Sequence, residues 1–198
     1  QRNVVRLLAY SSIAQAGFML VPFAAAAVSD ADLAEGFSAT IIYMAIYALM
    51  NLGAFAVVIA AARATGSGDV EGWAGLGRYN PRLALLAASF FLSLAGIPPL
   101  AGWFAKFVMF RSVIIAGGTA TVVLAIIASI NTVIAFYYYA RVVKATWLDP
   151  VPDGVTVREQ SAPAGSLSLA LGLALALTVI VGFFPALATF FADASRVL

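Results

Sequence analysis

The 198-residue sequence contains neither cysteine nor histidine, and only 10% of its residues are charged. Without cysteine there is no disulfide framework and no thiolate metal site. Without histidine, the usual ring ligand and the side chain that titrates near neutrality are both missing. No buried carboxylate pair, phosphate-binding glycine loop or metal-ligating cluster can be picked out, and Gly75-Leu76-Gly77 is only a loop signal. Redox chemistry, cofactor binding and metal binding are therefore not expected on this chain. The net charge of +2 comes from basic residues scattered over loops in ones and twos, which gives nucleic-acid binding no support.

What the sequence has in abundance is apolar surface: 63% of the residues are hydrophobic and the mean hydropathy is +1.00. Uncharged runs long enough to span a bilayer recur, more than a soluble domain of this length can bury, so the chain is read as an integral membrane protein. Arg2 and Arg6 before an apolar run superficially imitate a signal peptide, but the run is too long and no cleavage site precedes a soluble domain. Because the chain begins at Gln1, we expect a piece of a longer protein.

The expected fold is all-α, a polytopic transmembrane helix bundle forming a single unit over residues 1–198. Helices are expected at about 7–28, 37–62, 119–145 and 165–192, with Asn80-Pro81 placed to open another after a polar, glycine-rich loop. Residues 83–117 are ambiguous. As one straight helix they would run about 52 Å, against a hydrocarbon core of about 30 Å, so they form either a hairpin or one broken crossing. One broken crossing puts Arg2, Arg6, Arg63, Arg78, Arg82, Arg141, Lys144 and Arg158 on one side, with only Arg111 and Arg196 toward the other. A hairpin dissolves that bias. The positive-inside rule therefore favours five crossings with the third discontinuous, as 82–97 plus 102–117. The basic loops should be cytoplasmic, with the acidic loop Asp30, Asp32 and Glu35 and the C-terminus opposite.

Lys106 stands in this broken segment, in Gly96-Ile97-Pro98-Pro99-Leu100-Ala101-Gly102-Trp103-Phe104-Ala105-Lys106. A charge at bilayer depth costs about 2.5–3.5 kcal/mol on insertion scales. Such residues mark ion pathways, and broken membrane helices often do the same. Gly96, Pro98, Pro99 and Gly102 supply the break; the plainer readings are a packing kink or an interfacial hairpin. Snorkelling suits Arg111 better than Lys106, which lies about 16 Å from the expected helix end. A proton relay is the role expected of Lys106.

Other polar residues at depth are Ser11, Ser12, Gln15, Asn51, Ser93, Ser129 and Asn131, with the tyrosines Tyr10, Tyr43, Tyr47 and Tyr137 to Tyr139, which are read as interfacial anchors. Most are expected to bond their own helix or to hold helices together. Gln15 and Asn131 are candidates to hold ordered water near Lys106. Tyr137-Tyr138-Tyr139-Ala140-Arg141 reads as an interfacial belt, and Gly17 and Gly53 as sites of close helix packing.

Three motifs resemble one family. Arg6-Leu7-Leu8-Ala9-Tyr10-Ser11-Ser12-Ile13-Ala14-Gln15-Ala16-Gly17-Phe18, Tyr47-Ala48-Leu49-Met50-Asn51-Leu52-Gly53-Ala54-Phe55, and Ser93 to Gly102 with Lys106-Phe107 are similar to the antiporter-like membrane subunits of proton-pumping NADH:quinone oxidoreductases. Together they favour the subunit N group of bacterial respiratory complex I. The resemblance implies two inverted repeats, of which this chain would hold most of the second plus a C-terminal helix, with the N-terminal half of the same subunit missing. It matches Lys106 to a lysine on a central hydrophilic axis. It departs at Val5, where a lysine is common, at Gln15, where some members carry histidine, and at Trp103 and Ala105. It also implies a translocase subunit of the bacterial inner (plasma) membrane, embedded in the lipid bilayer, with other membrane subunits as partners. NADH, flavin, iron-sulfur clusters and quinone would belong to the parent complex. Two alternatives stay open: a subunit of a multi-subunit sodium/proton antiporter, and a structural membrane scaffold.

Overall fold

Where no water is at hand, a backbone must close its own hydrogen bonds, and each long uncharged run of this chain is accordingly helical. The computed structural model describes residues 1–28, 33–152 and 165–189. Asp30, Asp32, Arg158, Glu159, Pro163 and Arg196 lie outside the described residues. The helices are α1 (Val4–Val28), α2 (Leu33–Thr65), α3 (Leu76–Tyr79), α4 (Pro81–Ala95), α5 (Ala101–Ala116), α6 (Thr119–Trp147) and α7 (Gly165–Phe183), with a short 3-10 turn at Glu71–Trp73. Four of them, α1, α2, α6 and α7, are long and apolar enough to cross a membrane.

Local signals explain most of the boundaries. Asn80 accepts a hydrogen bond from the Leu83 N–H at 3.3 Å and Pro81 occupies the first helical position, so α4 opens where its sequence says it should. The last expected helix, 165–192, is shorter: α7 stops at Phe183. Pro185 lacks an N–H and disfavours helical geometry at the residue before it, which breaks the run at Phe184. The loop from Glu71 to Asn80 is less loop-like than its glycines suggest, since Trp73 and Leu76 are completely buried beneath it.

The helix ends gather into two groups. At one end of the bundle the Val4 N–H donates to Gly68 O at 2.9 Å, the Gly75 N–H to Ala145 O at 3.0 Å, and the Trp147 indole to Ala84 O at 3.3 Å. These contacts join the start of α1, the loop after α2, the first turn of α4 and the last turns of α6. At the other end Arg111, late in α5, pairs with Glu35 in the first turn of α2 at 2.8 Å. The chain therefore enters α4 at one end of the bundle and leaves α5 toward the other.

Central to the packing is α2, which touches α1, α4, α5 and α7. Gly53 lets α4 come close: a Cβ there would lie 2.1 Å from Phe90 Cε1. Gly17, expected to do the same, has nothing within 4 Å of its Cβ position and faces outward. Its spacing in the sequence does not reveal which face of α1 it is on. The outer face of α6, with Val122, Ile126, Ile130 and Val133, is exposed and apolar, as the surface of a membrane helix is.

Candidate functional site

The break between α4 and α5 exposes the end of a helix inside the bundle. The last four carbonyls of a helix have no partner within it, and a buried one left unpaired is costly. Here all four are satisfied. Gly96 adopts φ +92°, a left-handed conformation that suits glycine, and ends α4 with paired bonds: Ile97 N–H to Leu92 O at 3.0 Å and Gly96 N–H to Ser93 O at 2.9 Å. Side chains from elsewhere take the other two. Gln15 Nε2 of α1 donates to Leu94 O at 3.3 Å, and Lys106 Nζ of α5 donates to Ala95 O at 2.8 Å.

Lys106 is 6% exposed. Among the described residues its ammonium has no carboxylate within ion-pair distance. Two other features favour the charge. It sits at the negative end of the α4 dipole, which is worth up to about 2 kcal/mol in partly buried geometries. It also lies over the Phe18 ring, 5.3 Å from the centroid, a contact worth about 2 kcal/mol when desolvated. Together these are of the same order as the about 2.5–3.5 kcal/mol that insertion scales charge for an ammonium at the centre of a membrane helix. The site can therefore hold a cation without a neighbouring anion.

The missing Cβ atoms of two glycines make room for this arrangement. A Cβ at Gly96 would lie 2.7 Å from Lys106 Cδ, and one at Gly102 would lie 1.7 Å from Ser93 O. Ser93 also accepts the Gly102 N–H at 3.2 Å, which satisfies one of the orphan donors at the start of α5. Pro98 and Pro99 sit exposed in the intervening turn.

Behind the lysine lies a buried hydroxyl and amide cluster. Tyr43 donates to Gln15 Oε1 at 2.7 Å, Gln15 Nε2 donates to Tyr139 OH at 3.3 Å, and Tyr139 is hydrogen-bonded to Ser11 Oγ. Gln15 thus comes to the Lys106 end of α4. Asn131 does not. It is exposed on α6, outside the buried stripe of Ala128, Ala135, Tyr139 and Val142, and bonds Ile127 O of its own helix at 2.9 Å. Asn51 is half-buried beside Met50 on α2. Ser12 and Ser129 return bonds to their own helices, as expected.

Tyr139 corrects the reading of an interfacial belt: Tyr137 is exposed, but Tyr139 is fully buried within the cluster. Successive helical residues point about 100° apart, so three tyrosines in a row cannot share one environment. From the sequence Tyr43 and Tyr139 read as interfacial anchors and Phe18 only as the end of a motif, so their place beside Gln15 and Lys106 was missed. One signal was available, since Ser11, Gln15 and Phe18 recur at the four- and three-residue spacing of one helix face.

Comparison with known proteins gives concordant results. The family model described as NADH:quinone oxidoreductase/Mrp antiporter, TM, matches residues 1–135. The chain is 42% identical over 186 residues to NADH-quinone oxidoreductase subunit N 1 of Roseiflexus castenholzii, covering 93% of this chain and 33% of that protein. It superposes on a chain of respiratory complex I from Thermus thermophilus with bound aureothin at a TM-score of 0.67 and 28% identity, over 96% of this chain and 40% of that one. A chain of the membrane-bound sulfane sulfur reductase, an archaeal respiratory membrane complex, shares the fold at a TM-score of 0.73 and 24% identity, over 98% and 37%. The chain spans about a third of the length of the curated relatives it matches.

Proposed function

The chain belongs to the NADH:quinone oxidoreductase/Mrp antiporter family of membrane proteins, and from that premise we propose that it is part of a proton-translocating subunit of an NADH:quinone oxidoreductase. In this reading Lys106 takes up and releases the proton, while NADH oxidation and quinone reduction occur on other subunits of the complex in the bacterial inner membrane. The observation that carries it is the Lys106 ammonium, 2.8 Å from Ala95 O at the end of α4 and without a carboxylate partner among the described residues. A lysine whose charge is supported only by dipoles and a ring face has no permanent anion to hold it protonated.

We further read α4 and α5 as one interrupted crossing, the third of five. At 1.5 Å per residue each is about 22–24 Å long, too short alone for a core of about 30 Å. Their outer ends lie at opposite ends of the bundle, which supports this topology over a hairpin. The Arg2, Arg6, Arg63 and Arg141 face is then cytoplasmic.

Proteoliposomes containing the complex with the full-length protein test the functional class. Protons should cross the membrane when NADH is oxidised, with no requirement for sodium. Sodium-gradient-driven proton exchange in the absence of NADH oxidation would overturn this reading in favour of a sodium/proton antiporter subunit.

A further inference from the structure

A second helix end lies against the α4/α5 break. Helix α7 stops at Phe183, before Pro185, and its last carbonyls have no partners within the helix. One of them, Gly182 O, accepts the Trp103 indole N–H at 3.0 Å. Trp103 stands in the first turn of α5, three residues before Lys106. Helix α5 thus sends two side-chain donors to two different helix ends: Lys106 Nζ to Ala95 O of α4 at 2.8 Å, and Trp103 Nε1 to Gly182 O of α7. Gly182 also brings the α7 backbone onto the turn itself. A Cβ there would lie 1.8 Å from Pro99 O and 2.8 Å from the Leu100 carbonyl carbon, so only a residue without one allows this approach.

We propose that Trp103 and Gly182 are positioning residues, through which α7 clamps the α4/α5 turn and fixes where α5 holds Lys106. Residues 96–100 join the two half-helices without helical structure, so the direction of α5 is set by its contacts rather than by continuity with α4. Lys106 cannot be the whole tether. When it gives up its proton, its bond to Ala95 O loses the charge that strengthens it. An indole N–H is a donor only and keeps its hydrogen, so the bond to Gly182 O is the same in either state of the lysine. The Trp103 ring is itself held, against Phe104 and Phe107 with centroids 5.8 and 6.0 Å away. Trp103 takes no proton. Its role in transport rests on Lys106 being the relay.

Trp147 supplies the comparison, because its indole also donates to a carbonyl, Ala84 O at 3.3 Å, but at the opposite end of α4. In complexes that carry the full-length protein, matched for assembly on native gels, Trp103→Phe and Gly182→Ala should each lower NADH-driven proton uptake several-fold. Trp147→Phe should stay close to the wild type. Uptake by Trp103→Phe equal to that of Trp147→Phe would overturn the proposal. A second readout follows the placement of α5 and needs no pumping. Lys106 Cδ lies 2.7 Å from the Cβ position of Gly96, which brings cysteines at positions 96 and 106 within reach of each other. Gly96→Cys and Lys106→Cys are introduced together into the full-length protein freed of any other cysteine, and disulfide formation under mild oxidation is timed. Adding Trp103→Phe should slow it several-fold, whereas adding Trp147→Phe should not. A rate unchanged by Trp103→Phe would show that α7 does not place α5, and would overturn the proposal. Lys106→Met separates the two readings: if it pumps normally the relay fails, while the cross-linking rate still reports the clamp by itself.

Discussion

A buried ammonium is commonly paired with a carboxylate, but Lys106 is held by Ala95 O and the face of Phe18. The lysine was legible in the sequence because a charge in so apolar a run stands out. Of its neighbours Gln15 alone was named from the sequence; Phe18, Tyr43 and Tyr139 come from α1, α2 and α6, and nothing local says which of three consecutive tyrosines turns inward. Tyr139 is the one that does, and its hydroxyl joins Ser11 to Gln15. Tyr139→Phe leaves buried polar groups short of a partner, an effect of about 1–3 kcal/mol. The purified full-length variant should unfold at a lower temperature in detergent and pump more slowly within the complex, while an unchanged melting temperature would show that the cluster does not bear on stability.

At the level of elements, the turn between α4 and α5 decides the geometry. The glycines and prolines announced a break, and the structure ends α4 at Ala95 and starts α5 at Ala101. What they did not announce is how the broken end is satisfied, since the Gln15 and Lys106 bonds span 79 and 11 residues of chain. Gly96, at φ +92°, cannot take a side chain without strain of about 1–2 kcal/mol. Gly96→Ala should therefore lower the denaturation midpoint and, by displacing the lysine stem it contacts, reduce pumping. Pumping at the wild-type rate would show that the placement of Lys106 tolerates movement. Gly53 makes a separate prediction. Filling the space against Phe90 with Gly53→Leu should destabilise the bundle by about 1–3 kcal/mol, read from thermal unfolding of the same preparation.

Across the whole molecule, composition alone indicated an all-helical membrane protein, and the long helices α1, α2, α6 and α7 agree with it. The basic-residue count goes further, to the topology proposed above, and the Arg111–Glu35 pair places the far end of α5 beside the start of α2. Asn131 was misplaced beside Lys106, because an amide bonds its own helix as readily as it joins another, and here it bonds Ile127 O. Single cysteines at Ser67 and Gly118 in the full-length protein test the topology: an impermeant reagent should reach them from opposite faces, Ser67 from the cytoplasm. Labelling of both from one face would establish a hairpin.

The most direct measurement compares proton uptake per NADH oxidised, in inverted membrane vesicles, for the wild-type complex, Lys106→Arg and Lys106→Met. Arginine keeps the charge but does not release its proton, and methionine keeps neither. With assembly verified on native gels, both variants should lose most NADH-driven proton uptake and the quinone reduction coupled to it. Wild-type proton uptake by an assembled Lys106→Met complex would contradict a relay at this lysine.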